Sequence, residues 1–343
     1  MGRLDGNGGL LSTQFGYAKP GKDIALRALL VDAAGGASLT GTGSGHFDNV
    51  ADSYTSGPFW ARLNPDGSNG WVLPSDYAVG VVDSGYVVGG GYTAPFVFGG
   101  QQVPRSSGES VWFARVDSAG QVSSVHTAGS GAAVSVSQIV GLPDGSVWML
   151  GDFNGQAQFG SFALDSAGAP VAFLLQLDAN GQPTAAQTLP DVQTYAAVLA
   201  ATGLYLSAGV SVERRALDGT SIWRHEYTSS EIYPGNSPGS VGRDGSYFVQ
   251  IEVIGGLDIG CGPNPYGSQD TFVMVKFGPT GDILWVDYVP YYQPPTIGGV
   301  GIIAHSAIDQ NGAVLLGASI SGEPVIGGQT VSGSGKMVLL KYK

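Results

Sequence analysis

The chain has 343 residues and a formal net charge of −12, with 15 basic against 27 acidic side chains, 56 glycines, 19 prolines and one cysteine. So few basic groups argue against nucleic acid and anionic membranes as partners, which need basic patches. The lone Cys261 excludes an intrachain disulfide, and no apolar run approaches the ~18 residues of a membrane-spanning helix.

The remaining composition, 43% apolar and 10% aromatic, has enough apolar material for a core, so the Gly and Pro content reads as short strands and tight turns rather than disorder. In chain order, Arg3-Leu4-Asp5-Gly6-Asn7-Gly8 is a polar turn, followed by a strand over Gly9–Phe15. Strands are then expected at Ile24–Val31, Ala37–Thr40, Pro58–Leu63 and Gly70–Pro74, with turns closing on Gly35 and Gly67. The same four-strand unit recurs over Tyr77–Val82, Tyr86–Gly90, Ser110–Val116 and Gln121–His126, around Gly85 and Gly120. It returns over Val134–Val140, Ser146–Gly151, Val171–Leu177 and Pro183–Leu189, around Gly145 and Gly181.

A fourth unit takes Tyr195–Ala200, Leu204–Ala208, Val212–Leu217 and Ser221–Tyr227, around Gly203 and Gly219, with almost nothing between its second and third strands. The other units place long segments there: 41–57, 91–109, 152–170, 255–270 and 319–335. A fifth unit takes Ser240–Arg243, Ser246–Val253, Thr271–Phe277 and Asp282–Tyr288, around Gly245 and Gly281. The last has only three strands, Ile302–Ile308, Ala313–Ala318 and Lys336–Tyr342, around Gly312.

Each terminus carries the part of the repeat that the other lacks, so Gly9–Phe15 is expected to pair antiparallel with Lys336–Tyr342. The period of about 40 to 60 residues, with two hairpins in each, describes an all-β, six-bladed β-propeller of four antiparallel strands per blade, closed three-plus-one. It reads as one domain over 1–343, with blade boundaries near 24, 77, 133, 194, 238 and 300.

These residues resemble a known family. An Ala/Val-rich strand, Asp-x-x-Gly, a strand, then Phe-Gly, then a strand entering Leu-Asp-x-x-Gly is similar to the SBBP-type β-propeller repeat of bacterial exported proteins. Phe98-Gly99-Gly100 and Phe159-Gly160 carry the Phe-Gly element, which is relaxed to Ile259-Gly260 and Ile326-Gly327. Phe47-Asp48 replaces it in the first unit, and the fourth unit lacks it. The resemblance implies a propeller and an exported, bacterial location. It assigns no activity. Because the sequence starts inside a repeat, an export signal or other upstream segment is expected before residue 1, the alternative being a cytosolic product with no leader.

The links into each unit and the long connections emerge at one end of a propeller. The links carry Tyr17, Tyr77, Tyr195, Tyr233, Tyr291 and Tyr292, with Asp23, Asp76, Asp191 and Glu231. Tyrosines among carboxylates suit a small neutral or cationic molecule, a glycan or a peptide, and the expected function is a monomeric binding module. The alternative is a calcium-dependent hydrolase, of the paraoxonase-like or phosphotriesterase-like six-bladed type by analogy of fold. There the four acids would hold the divalent cation and His305, on an innermost strand, would serve as base. Taken singly, His305 reads rather as a satisfied interior polar residue, the acids as ordinary parts of the link, and His126 and His225 as structural groups on outer strands.

Overall fold

The computed structural model describes residues 2–4, 10–13, 16–18, 24–31, 37–43, 45–47, 57–64, 69–74, 77–82, 85–104, 109–131, 133–190, 192, 194, 197–208, 211–227, 232–234, 239–253, 262, 265, 271–290, 303–308, 312–320, 325–326, 329–330 and 336–342. They are nearly all strands, joined in antiparallel sheets, and the chain divides into two compact units, Met1–Pro190 and Asp191–Lys343.

Besides three two-stranded pairings, the first unit holds three larger sheets, each built on four strands in sequence order. The first sheet is Ile24–Val31, Ala37–Gly43, Gly57–Leu63 and Asn69–Pro74. The second is Ala78–Val82, Gly85–Tyr92, Glu109–Asp117 and Val122–Gly131. The third is Val134–Gly141, Val147–Phe153, Val171–Leu177 and Pro183–Leu189.

The second unit repeats the plan with Ala197–Ala200, Gly203–Ala208, Ser211–Arg215 and Ser221–Glu226 as the fourth sheet. In the fifth sheet Ser240–Val241 and Ile232–Pro234 both pair with Tyr247–Val253, followed by Thr271–Phe277 and Ile283–Pro290. The sixth is the three-stranded Ile303–Ile308, Val314–Ile320 and Lys336–Tyr342.

The tight turns explain why these segments fold back. At Asp117 the carboxylate Oδ1 accepts from the backbone N–H of Ala119 at 2.8 Å and of Gln121 at 2.9 Å. Gly120 closes the turn at φ +83°, a left-handed conformation that a Cβ disfavours. Asp178 repeats this with Asn180 and Gln182, both at 2.8 Å, and Gly181 closes at φ +83°. The second sheet is buried on both faces of its second strand, with Tyr86, Val87 and Val88 all 0% exposed, because Tyr86 and Val88 pack with Trp60 of the first sheet and Val87 with Met149 of the third.

Successive sheets within each unit are joined by a repeated contact. The outer-strand Trp71 of the first sheet lies on Gly120 of the second and donates from Nε1 to the Ser118 carbonyl at 3.3 Å. His126 of the second sheet lies on Gly181 of the third. Trp223 of the fourth lies on Gly281 of the fifth and donates from Nε1 to Pro279 O at 3.2 Å. A basic residue five positions before the closing glycine adds a second link. Arg115 donates to the Gly145 carbonyl and Lys276 Nζ to the Gly312 carbonyl. Arg214 Nη1 donates to Pro279 O at 2.6 Å, while Tyr205 Oη donates to Gly245 O at 3.0 Å. Arg62 Nε instead donates to Tyr86 Oη at 3.0 Å.

Several features differ from expectation. The Phe-Gly elements are two-residue hairpin turns, joining Phe96–Phe98 to Gln101–Val103 and Gln156–Phe159 to Phe162–Asp165. Positive φ at Gly99, Gly100 and Gly160 gives the reversed turn that matches strand twist. The second hairpin pairs onto Ser130 and Gly131, extending the second sheet to six strands. Val325–Ile326 likewise pairs with Gln329–Thr330. Two segments occupy the place of the first strand in the fifth sheet, with Pro234 opposite Ile251 and Ser240 opposite Phe248.

At the N-terminus Leu10–Thr13 pairs with Gly2–Leu4, and Lys336–Tyr342 pairs with Val314–Ile320. The pairing expected between Gly9–Phe15 and Lys336–Tyr342 is not among those described.

Candidate functional site

An antiparallel meander puts its first and third turns at one end and its middle connection at the other. The two ends of these sheets differ in chemistry. At the tight-turn end the carboxylates are used by the backbone: Asp117 and Asp178 cap their own turns, as described above. Hydrogen bonds from the Ser146 and Ser246 hydroxyls hold the carboxyls of Asp144 and Asp244 below their ordinary range. These groups are committed to the fold.

At the long-connection end of the second sheet stands a nest of rings. Tyr77, just ahead of Ala78–Val82, lies over Gly90, where a Cβ would come within 2.6 Å of its ring. That glycine gives the tyrosine its seat. Tyr77 meets Trp112 edge-on at 4.8 Å and stacks on Phe96 at 5.9 Å between centroids. Phe96 also meets Trp112 at 5.0 Å and Tyr92 at 5.9 Å.

Gly90 pairs with Trp112 and Tyr92 with Ser110, so Tyr92 and Trp112 share one face of adjacent strands. Trp112 is 0% and Tyr92 8% exposed, and among the described residues neither Trp112 Nε1 nor Tyr92 Oη has a hydrogen-bond partner. The neighbouring Val97 is 67% exposed. The nest can stack planar or ring-shaped groups and donate two hydrogen bonds inside an apolar shell.

The structure places the other sequence candidates as follows. Tyr17 is on Gly16–Ala18, opposite His46 on Gly45–Phe47, so the entry link and the middle connection of the first sheet meet. Tyr233 is in Ile232–Pro234, opposite Glu252, and so belongs to a strand rather than to a link. His305 is opposite Gly317 in the sixth sheet. Tyr195, Tyr291, Tyr292, Asp23, Asp76, Asp191 and Glu231 lie outside the described residues. Among the described residues no three His, Cys, Asp or Glu side chains are grouped to hold a metal.

His126 and His225 are in use. His126 stacks on Phe113 at 5.0 Å, and burial pushes its imidazole below the ordinary value. The Arg115 guanidinium adds to that shift, and a backbone hydrogen bond at Asn180 and the Asp178 carboxylate oppose it. His225 Nε2 lies 2.6 Å from the Gly281 carbonyl, which requires the proton on that nitrogen.

Sequence reasoning missed Tyr92, Phe96, Phe98 and Trp112. The signal was present in Phe98-Gly99-Gly100, a two-residue turn that makes Phe96–Phe98 one arm of a hairpin, with Phe96 opposite Val103.

No known family matches the sequence, and no curated protein matches it. Several solved structures resemble it. A protein of unknown function from Bacteroides caccae is 12% identical over 75% of this chain and 78% of its own, with a TM-score of 0.38. The dihydro-heme d1 dehydrogenase NirN is 13% identical over 93% of this chain and 68% of its own, also at 0.38. A catalytically inactive virginiamycin B lyase from Staphylococcus aureus, crystallised with quinupristin, is 13% identical over 89% and 96%, again at 0.38. The chain's class, a protein of nearly all strands in several antiparallel sheets, rests on its own strands rather than on these likenesses. No helix among the described residues is long and apolar enough to cross a membrane.

Proposed function

We propose that the six sheets are the blades of one β-propeller, closed by Gly9–Phe15 against Lys336–Tyr342. We also propose that it is an exported binding module, which takes a small molecule, glycan or peptide where the long connections gather. The ring nest around Tyr77 carries this reading. It lies at that end and it exposes apolar surface beside buried, unpaired donors. The opposite end supports the contrast, because its acids are consumed by their own turns. The middle connections also differ in length from sheet to sheet, which gives one end varied material for a specific site.

The test is a thermal-shift screen of neutral oligosaccharides, cationic peptides and calcium chloride against the full chain. Any hit is repeated on Tyr77→Ala, on the combined Asp23→Ala, Asp191→Ala, Tyr195→Ala variant, and on a control with Asp117→Asn, Asp178→Asn and Asp218→Asn. Loss in either of the first two variants, with retention in the control, is expected. Loss in the control alone would put the site at the wrong end.

A further inference from the structure

The two orphaned donors point to a narrower class of ligand. We propose that the nest of the second sheet binds a proline-rich peptide segment in the extended polyproline II form, with Tyr92 Oη and Trp112 Nε1 donating to its carbonyl oxygens. This rests on the reading of the long-connection end as a binding face.

A buried donor left without an acceptor costs stability, and native folds rarely keep one. Here two lie on one face of neighbouring strands, and the same ring covers both: Phe96, at 5.9 Å from Tyr92 and 5.0 Å from Trp112. Phe96 is only half-buried, although Phe98 and Val103 of the same hairpin are core residues, 6% and 0% exposed. Phe96 belongs to the hairpin Phe96–Phe98 and Gln101–Val103, which forms a separate two-stranded sheet, whereas the hairpin of the third repeat is paired onto the second sheet. The outer strand of the first sheet, where an equivalent pairing would form, ends at Pro74, which has no N–H to offer. The hairpin is tied to its own sheet through Gln101 Nε2, which donates to the Val122 carbonyl at 2.9 Å. Thr93, Ala94, Pro95 and Val97 around it are exposed.

The chemistry of the occupant follows from the donors. Both empty positions call for an acceptor, and the surrounding rings for an apolar group of ring size. A proline residue has a carbonyl and no N–H, so it supplies acceptors and leaves no donor of its own stranded in the nest. Polyproline II presents such carbonyls with no internal hydrogen bonds, and its rings lodge between aromatic side chains. A proline ring would take the place of Phe96 beside Trp112. Sugar hydroxyls also accept, but each brings a proton that needs an acceptor. The net charge of −12 favours basic residues flanking the prolines.

The test is calorimetric titration of the full chain with three probes: a ten-residue proline-rich peptide with an arginine at each end, the same peptide with alanine for proline, and a neutral trisaccharide. The proline-rich peptide should bind and the alanine peptide should not. Tyr92→Phe and Trp112→Phe remove the donors and keep aromatic rings, and each should weaken binding about 10-fold. The unliganded Tyr92→Phe protein should melt no lower than the parent, since that hydroxyl has no partner to lose. If Trp112→Phe fails to fold, Tyr92→Phe decides alone. No binding of the proline-rich peptide, equal binding by Tyr92→Phe, or binding of the trisaccharide alone overturns the proposal. A different ligand lost on Tyr77→Ala, with no peptide binding, sinks this inference and leaves the binding-face reading standing.

Discussion

Replacing Gly120 with alanine tests the contact between sheets. Two costs fall on that position and can be separated. The first is the backbone: at φ +83° a Cβ costs about 1–2 kcal/mol. The second is packing: the new Cβ would lie 2.8 Å from Trp71 Cδ1 and 2.9 Å from Cγ, inside any real carbon contact. The indole would have to move off the turn, losing its 3.3 Å hydrogen bond to Ser118 O. Overpacking of this kind adds about 1–3 kcal/mol, for a total of about 2–5 kcal/mol.

Gly168 is the control in the same compact unit, with φ +86° and nothing within 4 Å of its Cβ, so Gly168→Ala should cost only the backbone part of about 1–2 kcal/mol. In a Trp71→Ala background, Gly120→Ala should also fall back to about 1–2 kcal/mol, leaving a coupling of about 1–3 kcal/mol. Urea unfolding followed by circular dichroism gives each value. Equal costs at Gly120 and Gly168, or no coupling to Trp71, would refute the claim that the tryptophan of one sheet is seated on the turn of the next.

The His126 imidazole titrates lower in the folded chain than in the unfolded one, chiefly through burial. Its contribution to stability is therefore complete above about pH 6.5 and is lost as pH falls through the folded value. His126→Phe should flatten the decline of urea midpoints below about pH 6.5, and an unchanged slope would assign that decline to other groups. Deleting residues 1–16 tests the proposed closure. An edge strand left open should lower the melting temperature or promote aggregation, whereas a monomer with an unaltered melt would end the idea.

Much of the strand pattern was legible because the turns announce themselves. Val171–Leu177, Pro183–Leu189, Thr271–Phe277 and Lys336–Tyr342 occupy the expected ranges. Each adjoins an apolar run that breaks at a glycine or proline. The three-residue strands Phe96–Phe98 and Gln101–Val103 were not legible, since so short a ladder has no periodicity to read. Of the candidate site, Tyr77 was found by its place in the link, but its neighbours were not. Tyr92, Phe96 and Trp112 come from three segments that only sheet registry brings together, and sequence alone does not reveal which rings of a Gly-rich connection turn inward. The basic residue five places before four of the closing glycines was visible in Arg62, Arg115, Arg214 and Lys276, with Gln176 in that place before Gly181. For Arg115, Arg214 and Lys276 it passed unread because the acceptor is a backbone carbonyl, which leaves no mark in the side-chain sequence.

The junctions between sheets have a direction. At Trp71, Arg115, Trp223 and Lys276 the earlier sheet always supplies the side chain and the later one the backbone carbonyl. Such a contact is heterologous: the two surfaces fit each other but neither fits itself. A fragment cut between sheets would keep one surface of each kind, so fragments should add head to tail into open chains rather than pair off as two-fold dimers. The polarity that keeps the sheets in order within the chain is thus also the route by which a broken chain would polymerise.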